Sequence, residues 1–358
     1  MTKTIQMDVD DENSTVVQNR FYSLFEYNDI INKSEGDITE EEDSYSLSVL
    51  CTDVPKYLET ELTKLLSQKL SKHSIYYDAG SVTQFSVSLE ETLETWSCYY
   101  CMLKDKEVKE DGSNIKYIVC FLAPDSEMLE NFTHDLDNFC LNLSKEISKT
   151  SEVHTVSKQY LEKWHESTLD FLCRCVKLLE HDIKYLLYCA LVDGCLKIEG
   201  STEPVCADLQ RFVKMCNMSD IFGHEPTGSM DMLVDICSAS TPQETISLTF
   251  HDDQFQVNSN NCTKFCEHWG KALNIVDINS PGEIKQAVEA FKAKFIHSIN
   301  TTKRLLMEAQ HDYYAYYRAY KFMKSSGNLE ILLNHAHLDD ISEVKDVFTD
   351  LKKHFLQT

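Results

Sequence analysis

The sequence predicts an α+β fold: an antiparallel sheet with helices packed on it, followed by a mainly α-helical domain. Three observations carry this. Stretches before residue 125 are rich in β-branched and aromatic residues, and the clearest alternates apolar and polar residues with period two, as half-buried strands do. From residue 153 the apolar residues recur at three- and four-residue spacing, which makes one face of a helix. The 358 residues include only 10 Gly and 6 Pro, so turns should be few, and the length suffices for two cores.

The elements follow in order. Residues 1–18 are acid-rich and read as a disordered tail, and "EGDITEEED" at 35–43 reads as a solvated, flexible segment. A first domain spans 19–152. "NRFYSLFEYN" is aromatic and β-prone, and "SYSLSVLCT" at 44–52 alternates as a strand. A helix over about 54–71 has Thr52 or Asp53 as its cap, Pro55 in its first turn, and Val54, Leu58, Leu62, Leu65 and Leu66 on one face. Three further strands read from "SVTQFSVSLEE", "TWSCYYCMLKD" and "NIKYIVCFLAP". A helix over about 126–149 then presents Leu129, Phe132, Leu136, Phe139, Leu143 and Ile147 on one side. The order β-β-α-β-β-β-α is that of a longin/profilin-like domain, a five-stranded antiparallel sheet with helices.

The second domain spans 153–358. "VSKQYLEKWHESTLDFLCRCVKLLEHDIKYLLYCALV" predicts one long amphipathic helix or two, through Tyr160, Trp164, Leu172, Val176, Leu179, Ile183 and Leu187. A less regular stretch at 194–262 contains a short β-hairpin near 246–257, with Asp252 and Asp253 at its turn. Ser280 as cap, Pro281 in the first turn and Glu283 as capping-box partner open another helix. With one break it runs to Ser326, where Gly327 is the C-terminal cap. Asp340 and Glu343 mark the start of a last helix.

Composition narrows function. The formal net charge is −24, from 34 basic and 58 acidic residues, which disfavours direct binding to nucleic acid or anionic membranes. The longest apolar run, "YLLYCALV" at 185–192, falls short of the roughly 20 residues a span needs. The N-terminus lacks an apolar leader, so a cytoplasmic protein with reduced, mostly buried thiols is expected. In "CYYC", period two sends Cys98 and Cys101 to opposite faces of a strand, whereas a shared metal would need both thiolates at about 2.3 Å. "NCTKFCEHW" puts Cys262 and Cys266 on one helix face beside His268, and "NHAHLDD" offers His335 and His337. A tetrahedral site needs four ligands, so buried helix and surface histidines are the ordinary readings. No phosphate loop or nucleophile elbow occurs. No catalytic residues, metal or cofactor are predicted, and the chain is expected not to be an enzyme.

One segment stands out. "EAQHDYYAYYRAYKFM" at 308–323 holds more aromatics than one helix face can bury. Tyr313, Tyr316, Tyr317 and Tyr320 are predicted to form a core stripe. Tyr314, Arg318 and Phe322 are predicted to lie off it and to bind a partner, since aromatic residues beside Arg have the composition of an interface.

"CYYC" with "YIVCFL" about twenty residues on, "FCEHW" at 265–269, and "KRLLMEAQHDYYAYYRAYKFMKSSGNLEILL" at 303–333 together resemble the Njmu family of animal proteins. The resemblance runs with gaps from about residue 45 onward. It implies a non-enzymatic subunit of a vesicle-tethering complex in endosome-to-Golgi transport, peripheral at the trans-Golgi network. The implied partners are a WD-repeat β-propeller protein and a FAM-ninety-one-type protein. A small-GTPase-binding or exchange module, a use that longin-type sheets also serve, and a metal-dependent or redox enzyme stay open as other classes.

Overall fold

The computed structural model describes residues 19–29, 45–77, 79–89, 92–103, 115–150, 152–218, 245–251, 254–257, 261–309, 311–332 and 353. The chain divides into two compact units, Met1–Trp164 and His165–Thr358.

In the first unit, β1 (Phe21–Asp29) and β2 (Tyr45–Thr52) precede helix α1 (Lys56–Ser71), and β3 (Ser81–Leu89), β4 (Thr92–Leu103) and β5 (Ile115–Pro124) follow it. The five strands form one antiparallel sheet in the order β2-β1-β5-β4-β3. This is the predicted sheet with the predicted order of elements.

The start of α1 differs in detail from expectation. Pro55 itself holds the cap position and offers no side-chain bond. Thr52 and Asp53 instead tie down the strand end: Thr52 Oγ1 accepts from the Val54 N–H at 3.0 Å, and Asp53 Oδ1 from the Tyr22 N–H at 2.6 Å. Beyond that cap, Leu58, Leu62, Leu66 and Leu70 recur every fourth residue. They are buried with Trp96, Cys98, Tyr100 and Met102 of β4 and Ile118, Cys120 and Leu122 of β5. Alternate residues of the same strands face the other way. There Phe121 stacks on Tyr99 at 5.7 Å and on Trp164 at 4.7 Å, and meets Phe139 edge-on at 5.7 Å.

Phe139 belongs to α2 (Thr133–Ile147). The helix expected from residue 126 starts later, because two short 3₁₀ turns, Asp125–Glu127 and Leu129–Phe132, come first and Met128 between them is left-handed, with φ 52°. Its predicted apolar residues are nonetheless all buried. Helix α3 (Val153–Leu161), predicted as part of the second domain, packs on α2 and β2, with Tyr160 against Phe139 at 4.7 Å.

The long helix expected after residue 153 is interrupted several times. After α3 come α4 (Trp164–Thr168), α5 (Asp170–Leu179) and α6 (Ile183–Leu191). Between α5 and α6, Glu180 has φ 44° and opens a 3₁₀ turn, Glu180–Asp182. A continuous apolar period therefore does not prevent a break where the backbone turns left-handed. The irregular stretch also holds two unforeseen elements, β6 (Cys195–Glu199) and α7 (Glu203–Cys216). The hairpin is present as β7 (Thr245–His251) and β8 (Gln254–Val257), and β6 joins it by parallel pairing with β7. Asp252 and Asp253 lie outside the described residues.

Three helices complete the second unit: α8 (Lys264–Leu273), α9 (Pro281–Ala309) and α10 (Tyr313–Ser325). At the start of α9 the Ser280 hydroxyl accepts from the Glu283 N–H at 3.4 Å. The capping box stays half closed, because the Glu283 carboxylate accepts from the Asp277 N–H at 3.2 Å instead of from Ser280. The predicted break falls at 310–312 and the predicted cap is in place, with Gly327 at φ 69°. His335, His337 and the last helix at Asp340 and Glu343 lie outside the described residues. Among the described residues, no helix is long and apolar enough to cross a membrane.

Candidate functional site

Cys98 and Cys101 are both buried on β4 and do face opposite ways. Cys98 lies with Cys120 on the α1 side, and Cys101 neighbours Cys140 of α2 on the other. Burial pushes the Cys120 and Cys140 thiols well up from their ordinary range, which makes them poor thiolates and poor nucleophiles. Cys262 and Cys266 do not share a helix face as predicted, because Thr263 caps α8 and leaves Cys262 outside it. The Thr263 hydroxyl accepts from the Cys266 N–H at 3.2 Å. A hydrogen bond between the two thiols lowers the pKa of half-exposed Cys262 and raises that of buried Cys266. His268 is exposed and contacts the edge of Trp269. Among the described residues, no group of three or more His, Cys, Asp or Glu side chains could hold a metal ion.

The aromatic segment forms α10. Asp312 has extended backbone (φ −134°, ψ 112°), and its side chain accepts from the Tyr314 N–H at 2.8 Å while its carbonyl accepts from Tyr316 N–H at 3.1 Å. An Asx cap thus restarts the helix three residues after α9 ends. At the other end, the Gly327 carbonyl accepts from the Phe265 N–H at 3.2 Å, which fastens the cap of α10 to α8. A side chain at 327 would sit about 3.0 Å from Lys264 Cβ, so only glycine fits both the space and the left-handed backbone.

The buried stripe of α10 is not the predicted tyrosine stripe. It is Ala315, Ala319 and Met323, four residues apart, of which Ala319 and Met323 pack with Leu305 and Leu306 of α9. Tyr316, Tyr320 and Phe322 flank this cluster half-buried. Tyr313 and Tyr317 point outward, 86% and 53% exposed, against expectation. The physical reason is spacing: at 100° per residue, the small residues 315 and 319 sit opposite 313 and 317, and their size lets α10 approach α9 closely.

Of the three residues predicted to bind a partner, Tyr314 is 65% exposed, as expected. Arg318 is exposed and ion-paired, with Nη1 at 3.7 Å from Glu308, which also holds Arg304 at 3.1 Å. Phe322 packs half-buried against the core cluster instead of standing free. The sequence reading missed Tyr313 and Tyr317. The Ala-x-x-x-Ala-x-x-x-Met spacing carried the signal that would have found them. The resulting surface presents three tyrosines and three cations on one side of one helix, a composition suited to binding protein.

The model of the Njmu-R1-like protein family matches residues 25–357. The chain belongs to that family. It is also 27% identical to Protein Njmu-R1 of Mus musculus over 324 residues, which covers 87% of this chain and 80% of the mouse protein. The family match takes in part of β1, all of β2 to β5, and α10, so the exposed tyrosine face lies within the family's own span.

Proposed function

We propose that the protein is a non-enzymatic scaffold subunit of a vesicle-tethering complex that captures endosome-derived carriers at the trans-Golgi network. In this reading it is cytoplasmic and reaches membranes only through its partners, a WD-repeat β-propeller protein and a FAM-ninety-one-type protein. The observation that carries the reading is the tyrosine and arginine face of α10 in a member of the Njmu-R1-like family. Such residues dominate interface energetics when they become buried by a partner.

The test is affinity purification from cells with mass spectrometry, comparing the natural chain with Tyr314→Ala combined with Arg318→Glu. Tyr314→Ala alone is expected to cost about 1–3 kcal/mol of partner binding as a hot spot. Its melting temperature should barely move, because an exposed side chain contributes little to folding. Failure of the natural chain to capture either partner overturns the reading. Equal capture by the natural and the doubly substituted chain moves the interface to the sheet unit.

The sheet also favours a second reading, a small-GTPase-binding or exchange module, since its strand order is the longin one. Co-purification with a nucleotide-free GTPase would support it.

A further inference from the structure

We propose that the outward face of α10 receives an acidic segment of a partner protein, drawn in by Lys321 and Lys324 and anchored by one apolar side chain between Tyr317 and Tyr320. The proposal rests on the reading of α10 as the docking helix and specifies the chemistry it recognises.

In a chain of net charge −24, residues 313–329 contain Arg318, Lys321 and Lys324 and no Asp or Glu. Arg318 shares the single carboxylate of Glu308 with Arg304, so that triad keeps a net positive charge. Lys321 and Lys324 are exposed, and among the described residues no ion pair neutralises either. The Lys324 ammonium sits 5.7 Å from the centre of the Tyr320 ring. At physiological ionic strength the Debye length is about 8 Å, so the acids spread over the rest of the chain are screened and the helix face acts as a local cation.

Tyr317, Tyr320, Lys321, Lys324 and Ser325 line a recess of about 230 Å³. Its walls are tyrosine rings and lysine stems, which are apolar below their polar tips. Room for one side chain, beside two ammonium groups that no ion pair neutralises among the described residues, matches an apolar residue flanked by carboxylates. An anionic membrane is a poorer fit. It presents a plane of charge wider than one helix face, which brings the rest of a strongly acidic chain against it, and stable anchoring takes a second signal.

The probe is a labelled short peptide of Glu and Asp with one central Phe, titrated by anisotropy against the full chain, beside its Gln and Asn counterpart. The acidic peptide should bind and weaken as salt rises, and the neutral one should not bind. Lys321→Glu with Lys324→Glu should weaken binding by about tenfold or more, with an unchanged melt because both side chains are exposed. Tyr317→Ala should weaken the Phe-containing peptide but leave unchanged the weaker binding of an acidic peptide with Ala in place of Phe, which separates the recess from the charge. Equal binding of the neutral peptide, or no effect of charge reversal, overturns the proposal. Capture of phosphatidylserine vesicles through the same two lysines, in place of the peptide, overturns it in favour of a lipid surface. Cellular partner capture is read separately: peptide binding that maps to these lysines stands even where the natural chain captures neither tethering partner, in which case only the tethering reading fails.

Discussion

Helices α1 and α10 are both amphipathic and both bury residues at four-residue spacing, yet they use their bulk in opposite ways. α1 buries Leu58, Leu62, Leu66 and Leu70 against the sheet. α10 buries Ala315, Ala319 and Met323 and leaves Tyr313, Tyr314 and Tyr317 in solvent. In α1 the large apolar side chains hold a fold together. In α10 two alanines and a methionine do the inward packing, and three tyrosines stand in solvent. The number of aromatic residues in a helix therefore says little about its burial until the small residues have been placed.

Three changes would break or sharpen this contrast. The largest effect is expected in α1, where Leu62→Ala removes a side chain with no exposed surface. It should lower the unfolding free energy by about 2–5 kcal/mol, through lost burial and the cavity left behind. Urea denaturation would measure it, and a loss within the range of surface substitutions would show that the leucine face is not the support of the sheet. A smaller effect is expected at the close approach of α10 to α9. Ala319→Leu puts branched bulk where the alanine is 1% exposed, and should cost about 1–3 kcal/mol by overpacking. A neutral or stabilising outcome would mean that α10 can lift away freely.

The third effect is chemical and leaves stability alone. The described cysteines of the first unit are all buried, and burial pushes Cys51 up to about 11. Cys262 in the second unit is half-exposed and its pKa is lowered by the hydrogen bond from Cys266. Because the thiolate is the reactive form, Cys262 should react with iodoacetamide at lower pH than an ordinary thiol, and Cys51 should resist until high pH. Peptide mapping after brief alkylation across a pH series would check this. Modification of Cys51 before Cys262 would contradict it.

The sheet unit was legible because its signals are local and redundant. Strand alternation puts Cys98 and Cys101 on opposite faces, and the leucine spacing of α1 needs no tertiary knowledge. What escaped was short or depended on a partner surface. β6, "CLKIE", is five residues long and half-exposed, and it is held by pairing with β7 far along the chain. α7 did carry a start signal, Thr202 before Glu203 and Pro204, which its irregular surroundings obscured. The break at Glu180 left no mark in the apolar period, since the residues on either side continue it. At the candidate site, the exposure of Tyr314 and Arg318 was legible, whereas the exposure of Tyr313 and Tyr317 and the half-burial of Phe322 were not, because the alanine spacing sets the rotation of the helix.

The parallel pairing of β6 with β7 has a consequence for how the second unit assembles. β8 begins at Gln254, three residues after β7 ends at His251, whereas β6 ends at Glu199 and β7 begins only at Thr245. The hairpin can close early, but the third strand must wait for a long connection to be drawn in, and such non-local pairings slow folding.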